Sequence, residues 1–138
     1  MTNFTKNLLI AAAALTLTAS VVSAQTLKAE IPFTFAVSGK VLTAGAYQIN
    51  AASATKIVSV RGIETRDSAL TVKGPSADPR PEWKADHQAR LVFECDSSLC
   101  TLIKMYNGDD AVYNLSHPKS SAMGTRIAVI VMRPDKGD

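Results

Sequence analysis

The chain has 138 residues, of which 46% are hydrophobic and 20% charged, with a formal charge of +3. That length suits one domain, and that balance excludes a wholly disordered chain. Lys28, Lys40, Lys56, Arg61 and Lys73 are interleaved with acids and neutral residues, unlike the concentrated basic face that nucleic acid requires, so no nucleic-acid partner is expected.

Met1 to Lys6 carries one positive charge, and Asn7 to Val22 is mostly apolar and rich in alanine and leucine. Val22-Ser23-Ala24 then sets small residues where signal peptidase requires them. This pattern predicts a signal peptide over 1–24, cleaved between Ala24 and Gln25. The Leu8 to Val22 run is shorter than the roughly 20 residues of a spanning helix, and no cysteine near the cut invites lipidation. The expected product is one exported domain, 25–138, periplasmic or extracellular, with no integral membrane segment.

Ala29 to Val37 alternates, with Ile31, Phe33, Phe35 and Val37 on one face, and reads as a strand. Pro32 cannot donate to a ladder, which places that strand at an edge or starts it there. Ser38-Gly39-Lys40 and Thr43-Ala44-Gly45 are turn signals around a short buried step, Val41-Leu42. Gly45 to Ala51 alternates again, Tyr47 and Ile49 inward. Lys56 to Arg61 follows with Val58 and Val60 inward. Gly62-Ile63-Glu64 turns the chain into Arg66 to Lys73, whose inward residues are expected to be Leu70 and Val72. No segment after Ala24 keeps a helical period.

Gly74 to Gln88 holds Pro75, Pro79 and Pro81 among Asp, Arg, Glu and Lys, and reads as a long, proline-stiffened polar loop. It contains Trp83, the only tryptophan, between Arg80 and Lys84. Two roles fit that ring. It is a contact for a ligand or partner, since loops carry function and aromatic residues anchor interfaces, or a plug covering one end of the sheet.

Leu91 to Tyr106, LVFECDSSLCTLIKMY, has two apolar arms around a polar tip, with the two cysteines, Cys95 and Cys100, at its shoulders. It reads as a hairpin stapled by a disulfide, which suits an exported protein. The tip is either Ser97-Ser98 alone or a four-residue loop, Asp96 to Leu99. With the two-residue tip, Leu91, Phe93, Cys95, Cys100 and Leu102 share a face. Such a bridge closes a small loop and contributes only roughly 2 kcal/mol. The cysteine spacing is not that of a thioredoxin-like motif, and tetrahedral zinc needs two more ligands.

Asn107 to Asp110 is a turn, Ala111 to Leu115 a short strand, and Ser116-His117-Pro118 an interruption. Thr125 to Arg133 is the last strand. Its run Ile127-Ala128-Val129-Ile130-Val131-Met132 is apolar on both faces, so it is either covered on both sides or an interface. Ile127, Val129, Ile130, Val131 and Met132 are the candidate interface residues. Neither His87 nor His117 lies in a nucleophile–base pattern, Asp109-Asp110 looks like a turn and lacks EF-hand spacing, and there is no glycine-rich phosphate loop. No catalytic residue, cofactor or metal site is expected. Strands this short, with 6% aromatic residues, also do not suit a transmembrane barrel.

Ile31-Pro32-Phe33-Thr34-Phe35-Ala36-Val37, Gly39-Lys40, Ala44-Gly45-Ala46-Tyr47, Leu91-Val92-Phe93 and Pro118-Lys119-Ser120 resemble motifs of short exported proteins of unassigned function, abundant in acidobacteria. The likeness runs over much of the mature chain and implies an exported β domain without implying a mechanism.

Together these readings give an all-β fold: a single antiparallel β-sandwich or small barrel of about seven or eight strands. The expected role is a non-catalytic binding or interaction module, its partner a protein, glycan or small molecule, with Arg80, Trp83 and Lys84 as the candidate binding loop. The alternative is a structural or assembly protein using the final strand as interface. A small hydrolase built on Asp109, Asp110 or His117 ranks last.

Overall fold

The computed structural model describes residues 26–52, 54–119 and 124–135. The expected signal peptide lies outside the described residues, as does Ser120 of the last motif. Eleven strands form one mixed sheet: β1 (Thr26–Ile31), β2 (Phe35–Val37), β3 (Lys40–Leu42), β4 (Gly45–Asn50), β5 (Ile57–Gly62), β6 (Ser68–Ala77), β7 (Arg90–Cys95), β8 (Cys100–Tyr106), β9 (Val112–Leu115), β10 (Arg126–Val131) and β11 (Arg133–Pro134). One short helix, α1 (Pro81–Asp86), precedes β7. The hydrogen-bonded path is open and runs β10-β7-β8-β9-β6-β5-β4-β1-β11, with β2 paired to β3 and β8 off it. The strand count is thus higher than expected. The sheet is not wholly antiparallel either, because β2 runs parallel to β8.

The extra strands arise where continuous segments change partners. Ala29 to Val37 is not one strand. Pro32 cannot donate to a ladder, and around it the chain leaves β4, its partner along β1, and joins β3 and β8 as β2. β6 pairs with β5 as far as Val72 and with β9 from Lys73 onward. Between the Lys73–Leu115 and Ser76–Tyr113 pairs, two residues of β6, Gly74 and Pro75, oppose one of β9, Asn114, which is a bulge. There a Cβ on Gly74 would stand 3.2 Å from the Asn114 carbonyl. β10 and β11 are separated only by Met132, yet they pair with β7 and β1 respectively.

The turns obey their chemistry. Ser38 and Gly39 both have positive φ, 47° and 88°, as a two-residue hairpin between Val37 and Lys40 requires. The Ser38 hydroxyl is held by Thr71 Oγ1 at 3.0 Å and the Ser116 carbonyl at 2.9 Å. At the stapled hairpin the four-residue tip, Asp96–Leu99, is the one adopted. Its Asp96 carboxylate accepts the backbone N–H groups of Ser98 and Leu99, each at 2.8 Å. These bonds hold that carboxyl below the usual carboxylate range. Cys95 and Cys100 face each other and form the disulfide.

One core gathers inward residues from nearly every strand. Phe33, Phe93, Phe35 and Tyr47 run through it edge to face, with centroids 5.1, 5.6 and 5.1 Å apart. The Tyr47 hydroxyl donates to the Thr43 carbonyl at 2.6 Å. Tyr47, Ile49, Val58 and Val60 point inward as the alternation predicts. Leu70 and Val72 do not. Val60 faces Ala69 and Val58 faces Thr71, and opposed residues share a face, so Leu70 and Val72 turn outward, 64% and 49% exposed. Val41 is likewise exposed, and only Leu42 of that step is buried.

Phe35→Ala is expected to destabilise the fold by about 3–5 kcal/mol. Leu70→Ser should stay within about 0.5 kcal/mol of the unaltered protein. Urea unfolding measures both, and a large loss from Leu70→Ser would place that side chain in the core.

Candidate functional site

The hairpin β7–β8 buries apolar residues on both faces, fully on the inner one and in part on the outer one, and its register explains why. Cys95 faces Cys100 and Phe93 faces Leu102, but Val92 then faces Lys104, which leaves Ile103 as an extra residue in β8. The bulge restores Met105 to the inner face opposite Leu91 and keeps Tyr106 outward opposite Arg90. Val92, Ile103 and Tyr106, with Val112 of β9, therefore form a second buried layer outside the main core.

The segment from Asp78 to Gln88 covers this layer. It contains α1, a helix of six residues that proline content hid in the sequence. Pro81 stands at the first helical position, where its missing N–H costs nothing, and Glu82 lies in the first turn. His87 ends the helix with φ 54°, its N–H donating to the Trp83 carbonyl at 3.1 Å. Trp83 stacks on Tyr106 with centroids 5.6 Å apart and planes 30° from parallel. The Tyr106 hydroxyl lies between the Trp83 and Asp109 carbonyls, at 3.2 and 3.3 Å. Burial pushes that phenol above its ordinary value.

Two guanidinium groups also meet the indole, Arg80 at 5.2 Å and Arg90 at 5.3 Å from the ring. Arg90, 11% exposed, pairs through both terminal nitrogens with Asp86, at 2.5 and 3.0 Å, and donates to the Gln88 carbonyl at 3.1 Å. The hydrogen bond from Arg90, followed by the Gln88 N–H, lowers the Asp86 carboxyl to about 2. This pair ties the end of α1 to β7.

A groove of about 200 Å³ opens beside the indole. Arg80 and Trp83 form one wall, Val92 and Ile103 the floor, and Lys104 and Ile127 the remaining side. Residues that the sequence assigned to two separate surfaces, the Trp83 loop and the final strand, thus line one site. Lys84 is exposed on α1 and does not line the groove.

The final strand divides between two roles. Ile127, Val129 and Val131 face outward, 54%, 40% and 42% exposed, and continue the apolar floor across the sheet. Ile130 is half-buried against the core and Met132 is 2% exposed. Both therefore belong to the core rather than to an interface, because Ile130 sits opposite inward-facing Leu91. Sequence reasoning missed Arg90, Ile103 and Tyr106. Only the unbroken apolar run in each arm of the hairpin hinted that its outer face is covered in part.

The residues weighed for hydrolysis are bound into local turns. The Asn107 amide donates to Asp110 at 2.9 Å, while its oxygen accepts the N–H groups of Asp109, Asp110 and Ala111. His117 Nδ1 donates to the Leu115 carbonyl at 2.6 Å. Among the described residues no helix is long and apolar enough to cross a membrane. Compared with known proteins, the chain matches no family, no curated protein and no solved structure.

The Asp86 carboxyl is depressed, so its pairing with Arg90 supports the docked helix above its ordinary value of 3.8 and is lost as pH falls through about 2. Trp83 fluorescence should therefore change across that window. Asp86→Asn should show a shifted spectrum already at neutral pH and little further change on acidification. Identical acid titrations of the two proteins would contradict the coupling.

Proposed function

We propose that this chain is an exported, non-catalytic binding module of the periplasm or cell surface. Its working surface is the groove at Trp83 together with the outward stripe of β10, and its partner is another protein. Export rests on the leader-like segment 1–24 and on the Cys95–Cys100 disulfide, which suits an oxidising compartment. The fold is read as a barrel-like closure. Arg126 to Pro134 joins β7 through its first part and β1 through its last, so the two ends of the path are one segment bent at Met132.

One observation carries the binding reading. Arg80, Trp83 and Ile127 line the same groove, and Ile127, Val129 and Val131 extend it as an exposed apolar row. Trp and Arg side chains around a partly covered apolar floor are the usual anchors of protein interfaces. Among the described residues β10 pairs with β7 alone, so an extended partner segment can lie along it and add a strand.

Self-assembly through the same strand is the second reading. Antiparallel pairing of two copies centred on β10 would set Arg126 of one opposite Val131 of the other.

A photo-crosslinking residue at position 127, tested in the cells that export the protein, should give one discrete adduct that Trp83→Ala diminishes. The same group at Leu70, which is equally apolar and more exposed, should not. Equal adducts from both positions, or none from position 127, would contradict the proposal. An adduct of twice the chain's mass would establish self-assembly instead.

A further inference from the structure

A second cavity, of about 610 Å³, lies where Ala51, Ala52 and Ala54, the 87–89 and 107–109 segments and the 132–134 stretch surround one end of the core. It shares no lining residue with the Trp83 groove. Its floor is core itself, made by Leu27, Ala89, Met105 and Met132. The volume falls within the roughly 300–1,000 Å³ of small-molecule clefts, which are typically apolar with a few placed polar groups.

The rim supplies those groups, and their charge is mainly positive. Lys73 is held in place, its ammonium donating to the Ala52 carbonyl at 2.9 Å and lying 5.0 Å over the Tyr113 ring. Two of its three protons remain for another acceptor. Arg133 is exposed and has no ionic partner among the described residues. Asp109 is the one carboxylate on the lining, beside His87 and Asn107. An apolar floor under two cations and one anion selects a ligand with an apolar chain and a negative head.

We propose that this mouth binds a free single-chain carboxylate amphiphile. The chain lies on the Leu27, Met105 and Met132 floor, and the head group sits between Lys73 and Arg133. A two-chain lipid is too large for the cleft, and a cationic amphiphile would bring like charge to its rim. The site stands independently of the Trp83 groove.

The test titrates the disulfide-bonded protein, carbon-13 labelled at its methionine methyls, with decanoate, acetate and decyltrimethylammonium. Decanoate should shift the Met105 and Met132 methyls saturably and leave Trp83 fluorescence unchanged. Acetate, which lacks the chain, and the cationic amphiphile, which lacks the charge match, should not saturate them. Lys73→Gln and Arg133→Gln should each weaken decanoate roughly two- to fivefold, the range of an exposed ion pair. Equal shifts from the cationic amphiphile, unsaturable shifts with decanoate, or unchanged affinity in both variants would overturn the proposal. So would a decanoate response confined to Trp83.

Discussion

The β7–β8 hairpin is covered on its inner face and over Val92, Ile103 and Tyr106 on its outer one, and most of the architecture follows from how that is achieved. Its inner face, from Leu91 to Met105, packs against the aromatic run of Phe33, Phe35 and Tyr47. Its outer face is roofed by Trp83 and the short helix, pinned through Arg90 and Asp86. The single extra residue at Ile103 makes both arrangements compatible. Without it, strict alternation from Cys100 would carry Lys104 and Tyr106 inward and Met105 out. The disulfide closes a small loop, so it fixes register at Cys95 and Cys100 more than it holds the core.

A hairpin with buried residues on both faces gives the neighbouring strand its character. β10 inherits the inner and outer faces of β7 row by row, with Ala128 and Ile130 turned in and Ile127, Val129 and Val131 turned out. The roof over β7–β8 stops at the groove and leaves that outer row exposed. An apolar edge of this kind is an aggregation hazard unless something covers it. The proposed protein partner removes that hazard, which links a stability problem in the fold to a use for the surface.

Much of the fold was legible in the sequence because it is local. Alternation over 45–51 and 56–61 set the inward residues, and the cysteine spacing marked the hairpin. Leu70 and Val72 misled because their apolar character says nothing of register. The pairing of Val58 and Val60 with Thr71 and Ala69 decides which face is inside. Helix α1 was hidden because six residues are too few for a period, although Pro81 and Glu82 are a recognisable start. The groove was legible only in halves. Trp83 and Ile127 stood out separately, but their meeting depends on Val92 and Ile103, which are ordinary residues brought together by tertiary pairing. The mouth at Lys73 and Arg133 left no sequence signal at all, since its lining comes from segments far apart in the chain.

Trp83 and the outer layer of β7–β8 form one packed unit beside β10, separable from the rest of the sheet. Amide hydrogen exchange on the unaltered protein and on Trp83→Ala tests it most directly. Faster exchange confined to 81–94 and 103–106, with β4 and β5 unchanged, is the expected result. Uniform acceleration across all strands, or no change over β7 and β8, would contradict it.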